Sequence, residues 1–494
     1  MKKQEAVTFN LPAHLDYLPI AASAARHCAI LRGFSTEEAG RISLALVEAA
    51  TNAIELGFNA DTDRLRIGLA PTALGLKLRV RSRGIPLETM ELPQYDPDKA
   101  EDQLDITGLG LLLINSMMDH VSHSILESNE REVAMVKHLP SVPVQDDIDQ
   151  LLPDNGPSTD LSDSGCEVRA AVADDADSIA RLALRSHGDI LFSEHIYYPE
   201  RVRAMIESGE MTSIVAVSGE GALMGHGALV PHSAEAQVEE LTYAFVDSRF
   251  RAQGCLGKIA AALLADARQR RLKALSAFAV TNHVNSQRAL LRMHFSESGL
   301  LLATSSPSQA WRKDAKGNPQ RIANLLFHRY LREGYGKPLH LPARHAAMIR
   351  RIQGNREINA PLAELVAPAP LPPRSFLTTE AEIKEGWGAI FILSYGEDLV
   401  QQVAEQVERM RALGLFAIQL LLPLEDPATP TQCVELEAMG FFFCGIGPDD
   451  EGNEQLLLQT IHGVDPDYDS IHVHTDFANE IKAYVRSCDP SQAG

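Results

Sequence analysis

Asp247–Ser248–Arg249–Phe250–Arg251–Ala252–Gln253–Gly254–Cys255–Leu256–Gly257–Lys258 is the stretch whose reading decides the fold. Residues 238–246 before it are rich in β-branched and aromatic types, which predicts a strand. Residues 259–271 after it are rich in alanine and leucine and end on basic residues, which predicts a helix. A strand, a glycine-bearing turn and a helix make a good anion site. The first N–H groups of a helix have no internal partner, and the helix dipole adds partial positive charge there. Gly254 lets a ligand come close to the backbone, and Arg251 adds a full charge. A pyrophosphate suits such a turn; a strand–helix turn with its glycine there for geometry alone reads the same way.

The neighbouring sequence narrows this. Residues 275–280 predict another strand, and residues 285–295 a helix that ends near Phe295–Ser296–Glu297–Ser298–Gly299. This order of strand, RxxG turn, helix, strand and short helix resembles the GNAT acetyltransferase superfamily over about residues 166–305. The resemblance implies that the loop holds the pyrophosphate of acetyl-CoA through Arg251, Gln253, Gly254, Cys255, Leu256, Gly257 and Lys258. Arg251 and Gly254 match the RxxGxG/A pattern, but Leu256 stands at its final small position and Gly257 follows one later. It also implies a glutamate on the preceding strand acting through water as general base, so Glu239 and Glu240 are the candidates. Strand alternation lets only one of them face the cleft. Glu240 shares a face with Thr242, and Glu239 with Leu241 and Tyr243; Glu240 is preferred, and a pair of edge-strand charges is the plainer alternative. The family's tyrosine acid has no counterpart in residues 285–295, although His283 and His294 lie nearby.

The N-terminal part has a second pattern. Residues 18–31 and 35–52 predict helices, the latter N-capped by Ser35 or Thr36 with Glu37 and Glu38 in its first turn. Glu48 and Asn52 are four apart and so lie on one helical face. Residues 62–70, 75–81, 121–126 and 132–138 predict strands, and Gly108–Leu109–Gly110 opens an apolar helix. Over about residues 6–139 this resembles the GHKL ATPases of the anti-sigma-factor serine kinase type. The resemblance implies ATP with Mg²⁺: Glu48 as the carboxylate near the γ-phosphate, Asn52 as the metal ligand, and Gly84, Gly108 and Gly110 as phosphate and adenine turns. Oxygen ligands suit Mg²⁺, and a helix N-terminus suits phosphate. One position departs: Ser82 stands where the family has the adenine-binding aspartate, and a hydroxyl accepts more weakly than a carboxylate.

Bulk properties set the limits. The 494 residues suffice for about three domains of ~150 residues each. The charge of −21 speaks against nucleic acid or an anionic membrane as partner, since both need clustered cations. No apolar run reaches ~20 residues, no signal-peptide core stands at the start, and the six scattered cysteines suit a reducing cytoplasm. The expected fold class is α/β (α+β): a GHKL α/β sandwich at 1–140, an acidic linker at 141–165, and a GNAT mixed-sheet domain at 166–340. A connecting segment with a proline-rich hinge follows at 341–380, then a degenerate GNAT-like domain at 381–494. Residues 311–333 are expected to be partly helical. The last domain is expected to be structural, because its turn at 423–430 holds three prolines, two acidic residues and no glycine. His472 and His474 alternate on an extended stretch without further metal ligands in view. The expected function is a cytoplasmic regulatory acyltransferase acting on an amine acceptor. The alternative is a non-catalytic regulator, with a sigma factor or its antagonist as partner and the GNAT units as scaffolds or acyl-CoA sensors. A homodimer is compatible with either.

Overall fold

The computed structural model describes residues 6–55, 64–72, 74–83, 113–125, 130–139, 166–187, 194–250, 254–304, 321–332, 337–357, 360–363, 370–383 and 385–492. Helix α1, Leu18–Arg32, and helix α2, Thr36–Glu55, cover one face of the N-terminal sheet. A capping box starts α2. Ser35 Oγ accepts from the Glu38 amide at 3.2 Å, and the Glu38 carboxylate accepts from the Ser35 amide at 3.2 Å. The strands are β1, Val7–Pro12, β2, Arg64–Pro71, β3, Gly75–Arg83, β4, His120–Ile125, and β5, Glu130–His138. Leu65, Ile67 and Leu69 on β2 alternate with Arg64, Arg66 and Gly68, and Leu76, Leu78 and Val80 on β3 with Lys77, Arg79 and Arg81, so one face of the sheet is apolar and packs on the helices.

The second unit has β6, Glu167–Ala170, β7, Thr212–Val217, β8, Leu223–Pro231, β9, Val238–Val246, β10, Ala274–Val280, β11, Ser296–Leu301, and β12, Asn324–Tyr330. They pair in the order β6-β7-β8-β9-β10-β12-β11, and only β9 and β10 run parallel. Helices α3, Ala176–His187, and α4, Pro199–Ser208, pack on one face, and α5, Cys255–Gln269, on the other. The short helix α6, Asn285–Arg292, leads into β11, and α7, Ala346–Asn355, packs against β11.

The third unit repeats the second half of this pattern. Its elements are β13, Phe376–Glu382, β14, Trp387–Ser394, α8, Leu399–Ala412, β15, Ala417–Pro423, α9, Thr429–Ala438, β16, Phe442–Pro448, β17, Glu454–Ile461, and α10, Asp476–Cys488. Strands β14 and β15 are parallel, joined through α8, as β9 and β10 are joined through α5. β15-β17-β16 then repeats β10-β12-β11, down to a register shift at Gly445 that matches one at Gly299. The two half-repeats meet at those glycines, where β11 and β16 pair antiparallel. On the other side β13 pairs with β4 of the N-terminal unit. The described strands thereby form one 17-stranded sheet. The fold is mixed α/β: an N-terminal unit with helices on one face of a sheet, a second unit built on a mixed sheet, and a third unit that repeats the second half of the second.

Two expectations need correction, and two elements were not foreseen. Residues 324–330 are a strand, β12, and not helical. Their run Asn324–Leu325–Leu326–Phe327 is buried throughout between β10 and β11, so it lacks the alternation that would have marked a strand. The helix expected at 285–295 stops at Arg292, which leaves residues 296–301 for β11. Strand β13 and helix α10 had no counterpart in the sequence reading. Gly84, Arg251, Gln253, Gly108, Gly110 and the acidic linker lie outside the described residues.

Candidate functional site

β9 and β10 pair only at Ala274–Val238, Leu275–Glu239 and Ser276–Glu240. Beyond these pairs β9 follows β8 up to Val246, while β10 follows β12 up to Val280. Two parallel strands that start together and then keep different neighbours open a cleft between them. Phe278, on β10 just past the last shared pair, is 41% exposed, unusual for a large apolar residue in a central strand. On the same face of β10, Ser276 Oγ is buried and has no hydrogen-bond partner among the described residues.

A bulge shapes the other wall. Between His226/Phe245 and Ala228/Thr242, β9 sets two residues against one, with Tyr243 at a φ of 50°. Leu241 therefore packs on the α5 side, while Tyr243 and Phe245 pack with α3 and α4. His226 fixes the bulge from beneath: its Nδ1 lies 2.9 Å from the Tyr243 carbonyl and its Nε2 lies 2.7 Å from Ser213 Oγ. A carbonyl only accepts, so Nδ1 carries a proton. Burial holds its pKa down at about 4. Sequence reasoning missed His226, since a lone histidine on a strand carries no spacing signal.

At the end of β9 the chain turns through Asp247, which accepts from the Arg249 amide and guanidinium at 3.0 Å and 2.7 Å. Burial opposes its ionisation, but Arg249 and Arg185 carry the carboxyl below the usual range. Gly254 then caps α5 in the left-handed region, at φ 75°. Among the described residues a Cβ there would meet nothing within 4 Å, which leaves room for a ligand beside the start of the helix. Gly257, one turn in, is equally open. Cys255 points into the core, where burial and the adjoining Cys166 thiol push its pKa up to about 11. Leu256 is half-buried and packs on the same core. Lys258 Nζ donates to the Cys166 carbonyl at 2.9 Å. Cys255, Leu256 and Gly257 thus present backbone to the opening, and Lys258 secures the start of the unit.

The two glutamates part company. Both oxygens of Glu239 are taken by Arg270 at the C-terminus of α5, at 2.5 Å and 2.7 Å. That bidentate pair clamps helix to strand and does not suit the base role expected of Glu239. Glu240 lies on the opposite face with Thr242, half-buried. Burial pushes its carboxyl up, while His232 and the Thr242 hydroxyl pull it down.

In the N-terminal unit, Glu48 and Asn52 lie half-buried on α2, and Ser82 is buried near the end of β3. The match is to the histidine kinase-like ATPase domain, over residues 11–137. The serine-protein kinase RsbW of Bacillus thuringiensis (strain Al Hakam) is 26% identical over 151 residues, 30% of this chain and 93% of that protein. RsbW of Bacillus mycoides (strain KBAB4) gives the same figures, 26% over 151 residues. Among solved structures, the N-acetyltransferase from Staphylococcus aureus Mu50 covers 34% of this chain and 100% of its own, at 14% identity and a TM-score of 0.28. The ribosomal-protein-alanine N-acetyltransferase from Brucella melitensis covers 33% and 99%, at 18% identity and a TM-score of 0.28. No described helix is long and apolar enough to cross a membrane.

Proposed function

We propose that the chain is a cytoplasmic regulatory acyltransferase, in which an ATP-binding N-terminal unit governs acetyl transfer from acetyl-CoA to an amine. The observation that carries this is the splayed parallel pair β9 and β10 beside the open N-terminus of α5 with its left-handed Gly254. The pyrophosphate takes the first-turn amides of α5 and the charge of Arg251. The acyl arm lies in the cleft beside Phe278. Donors at the cleft wall polarise the thioester carbonyl. Glu240 takes the amine proton through water, and its raised carboxyl suits a base better than an ordinary one. Nitrogen attacks the carbonyl carbon, the C–S bond breaks, and the thiolate leaves with a proton.

In the N-terminal unit Asn52 would hold Mg²⁺ and Glu48 would supply the carboxylate for the γ-phosphate, with a sigma factor or its antagonist as protein partner. The capture of Glu239 by Arg270 favours a second reading, in which the GNAT unit binds acyl-CoA as a sensor without turnover. Calorimetry on the full chain tests the cofactor site. Gly254→Val should weaken acetyl-CoA at least tenfold, because a branched side chain fills the approach and φ is unfavourable. Equal affinity in both proteins defeats the proposal. Acetyl-CoA consumption across a panel of amines then separates enzyme from sensor.

A further inference from the structure

Three histidines meet where the units join. His120 opens β4, His138 closes β5, and His195 lies in the 3-10 turn Glu194–Tyr197 of the second unit. One ring nitrogen from each lies within 4.8 Å of the other two. The His120 and His138 rings are 5.3 Å apart at 69°, and those of His138 and His195 are 4.8 Å apart at 89°.

The surroundings have the character of a metal site. Asp119 Oδ2 lies 3.6 Å from His138 Nδ1, and Glu382 Oε2 from β13 lies 3.4 Å from His120 Nδ1. A carboxylate at the far nitrogen fixes the tautomer and ring angle of a metal-bound imidazole and raises its basicity. Asp119 and Glu382 thus place negative charge at ion-pair distance beside two of the three rings. Asp119 is itself held by the His138 amide at 2.7 Å and Lys137 Nζ at 3.1 Å. His195 differs: Arg201 Nη1 donates to its Nδ1 at 3.0 Å, and the guanidinium sits 4.1 Å over the Tyr198 ring. Loading an ion there exchanges that hydrogen bond for a coordinate bond or draws a proton from the opposite nitrogen.

We propose that His120, His138 and His195 form a site for a divalent transition-metal ion, Zn²⁺ by ligand type, which ties the N-terminal unit to the second unit beside the third. Three neutral nitrogens suit Zn²⁺ and not Mg²⁺ or Ca²⁺, which take oxygen. The fourth position falls to water. Because the ligands come from two units, and Glu382 behind them from the third, occupancy of the site couples the relative placement of all three.

The test uses the full chain stripped with a chelator and titrated with Co²⁺. One equivalent should bind with the visible absorption of a tetrahedral nitrogen site, and Zn²⁺ should displace it. His138→Gln and His195→Gln should each weaken binding by on the order of a hundredfold. Cys433→Ser should leave it unchanged, which sets aside the second cluster of His345, Cys433 and Glu437. One equivalent of Zn²⁺ should also raise the melting temperature of the unmodified chain, a readout that needs no variant. Sub-stoichiometric binding, affinity indifferent to both histidine variants, a thiolate charge-transfer band lost in Cys433→Ser, or an unchanged melting temperature each overturns the proposal.

Discussion

His226 shows how one side chain fixes the geometry of a cleft. It is buried and neutral, and it holds both the Tyr243 carbonyl and Ser213. Its pKa falls from 6.5 to about 4 on folding, so the unfolded chain binds a proton more readily between those values. The contribution is complete above pH 6.5 and is lost as pH falls to about 4. At ~1.4 kcal/mol per unit this is up to about 3 kcal/mol. His226→Phe should flatten the acid limb of a denaturant-midpoint versus pH curve, and an unaltered limb would assign the acid sensitivity elsewhere. His226→Ala should cost about 1–3 kcal/mol through the unpaired carbonyl and hydroxyl. Ser82, buried at the expected adenine edge, makes a second prediction at this scale. Ser82→Asp should tighten Mg²⁺-dependent ATP binding about tenfold, since a charge-assisted bond is worth ~1.5–3 kcal/mol. Fluorescent nucleotide titration measures it, and an indifferent site would mean that the adenine is held in another way.

At the level of elements, close approaches of backbone decide the packing. A Cβ on Gly227 would come within 2.8 Å of Ile259 Cγ2, so Gly227→Ala should lift α5 from β8 and destabilise the second unit by about 1–3 kcal/mol in thermal unfolding. The seam between β11 and β16 is tighter: a Cβ on Gly299 would lie 2.5 Å from the Cys444 carbonyl. Beside it, Arg356 and Glu454 form a fully buried ion pair at 2.6 Å, completed by the Tyr330 hydroxyl. Glu454→Gln should cost about 3–5 kcal/mol, because it leaves the guanidinium buried without its charge partner. A loss below 1 kcal/mol by chemical denaturation would show that water reaches the pair. These contacts explain what the sequence could and could not tell. The strand at 238–246, the open turn at Gly254 and the capped α2 are legible because their causes lie within a few residues. Strand β12 and the seam are not, because their partners lie far away in sequence. Glu239 looked like a base candidate because its engagement by Arg270, at the far end of α5, leaves no mark on the strand itself.

Across the whole molecule, the strands lie in the order β1-β2-β3-β5-β4-β13-β14-β15-β17-β16-β11-β12-β10-β9-β8-β7-β6. Removing residues 370–494 takes out the middle of this series and leaves β4 and β11 as bare edges. That truncated chain should aggregate or melt well below the full chain, as sedimentation and calorimetry would register. A soluble product with unchanged melting temperature and acetyl-CoA affinity would make the third unit independent. The same order imposes a timetable on synthesis. A ribosome adding ~5–20 residues per second needs on the order of tens of seconds to travel from β4 to β13. Throughout that interval the nascent N-terminal unit carries an open strand edge, and β11 later waits in the same way for β16. Shielding of these edges during synthesis should therefore raise the soluble yield, which co-expression with a chaperone that covers nascent chains would measure.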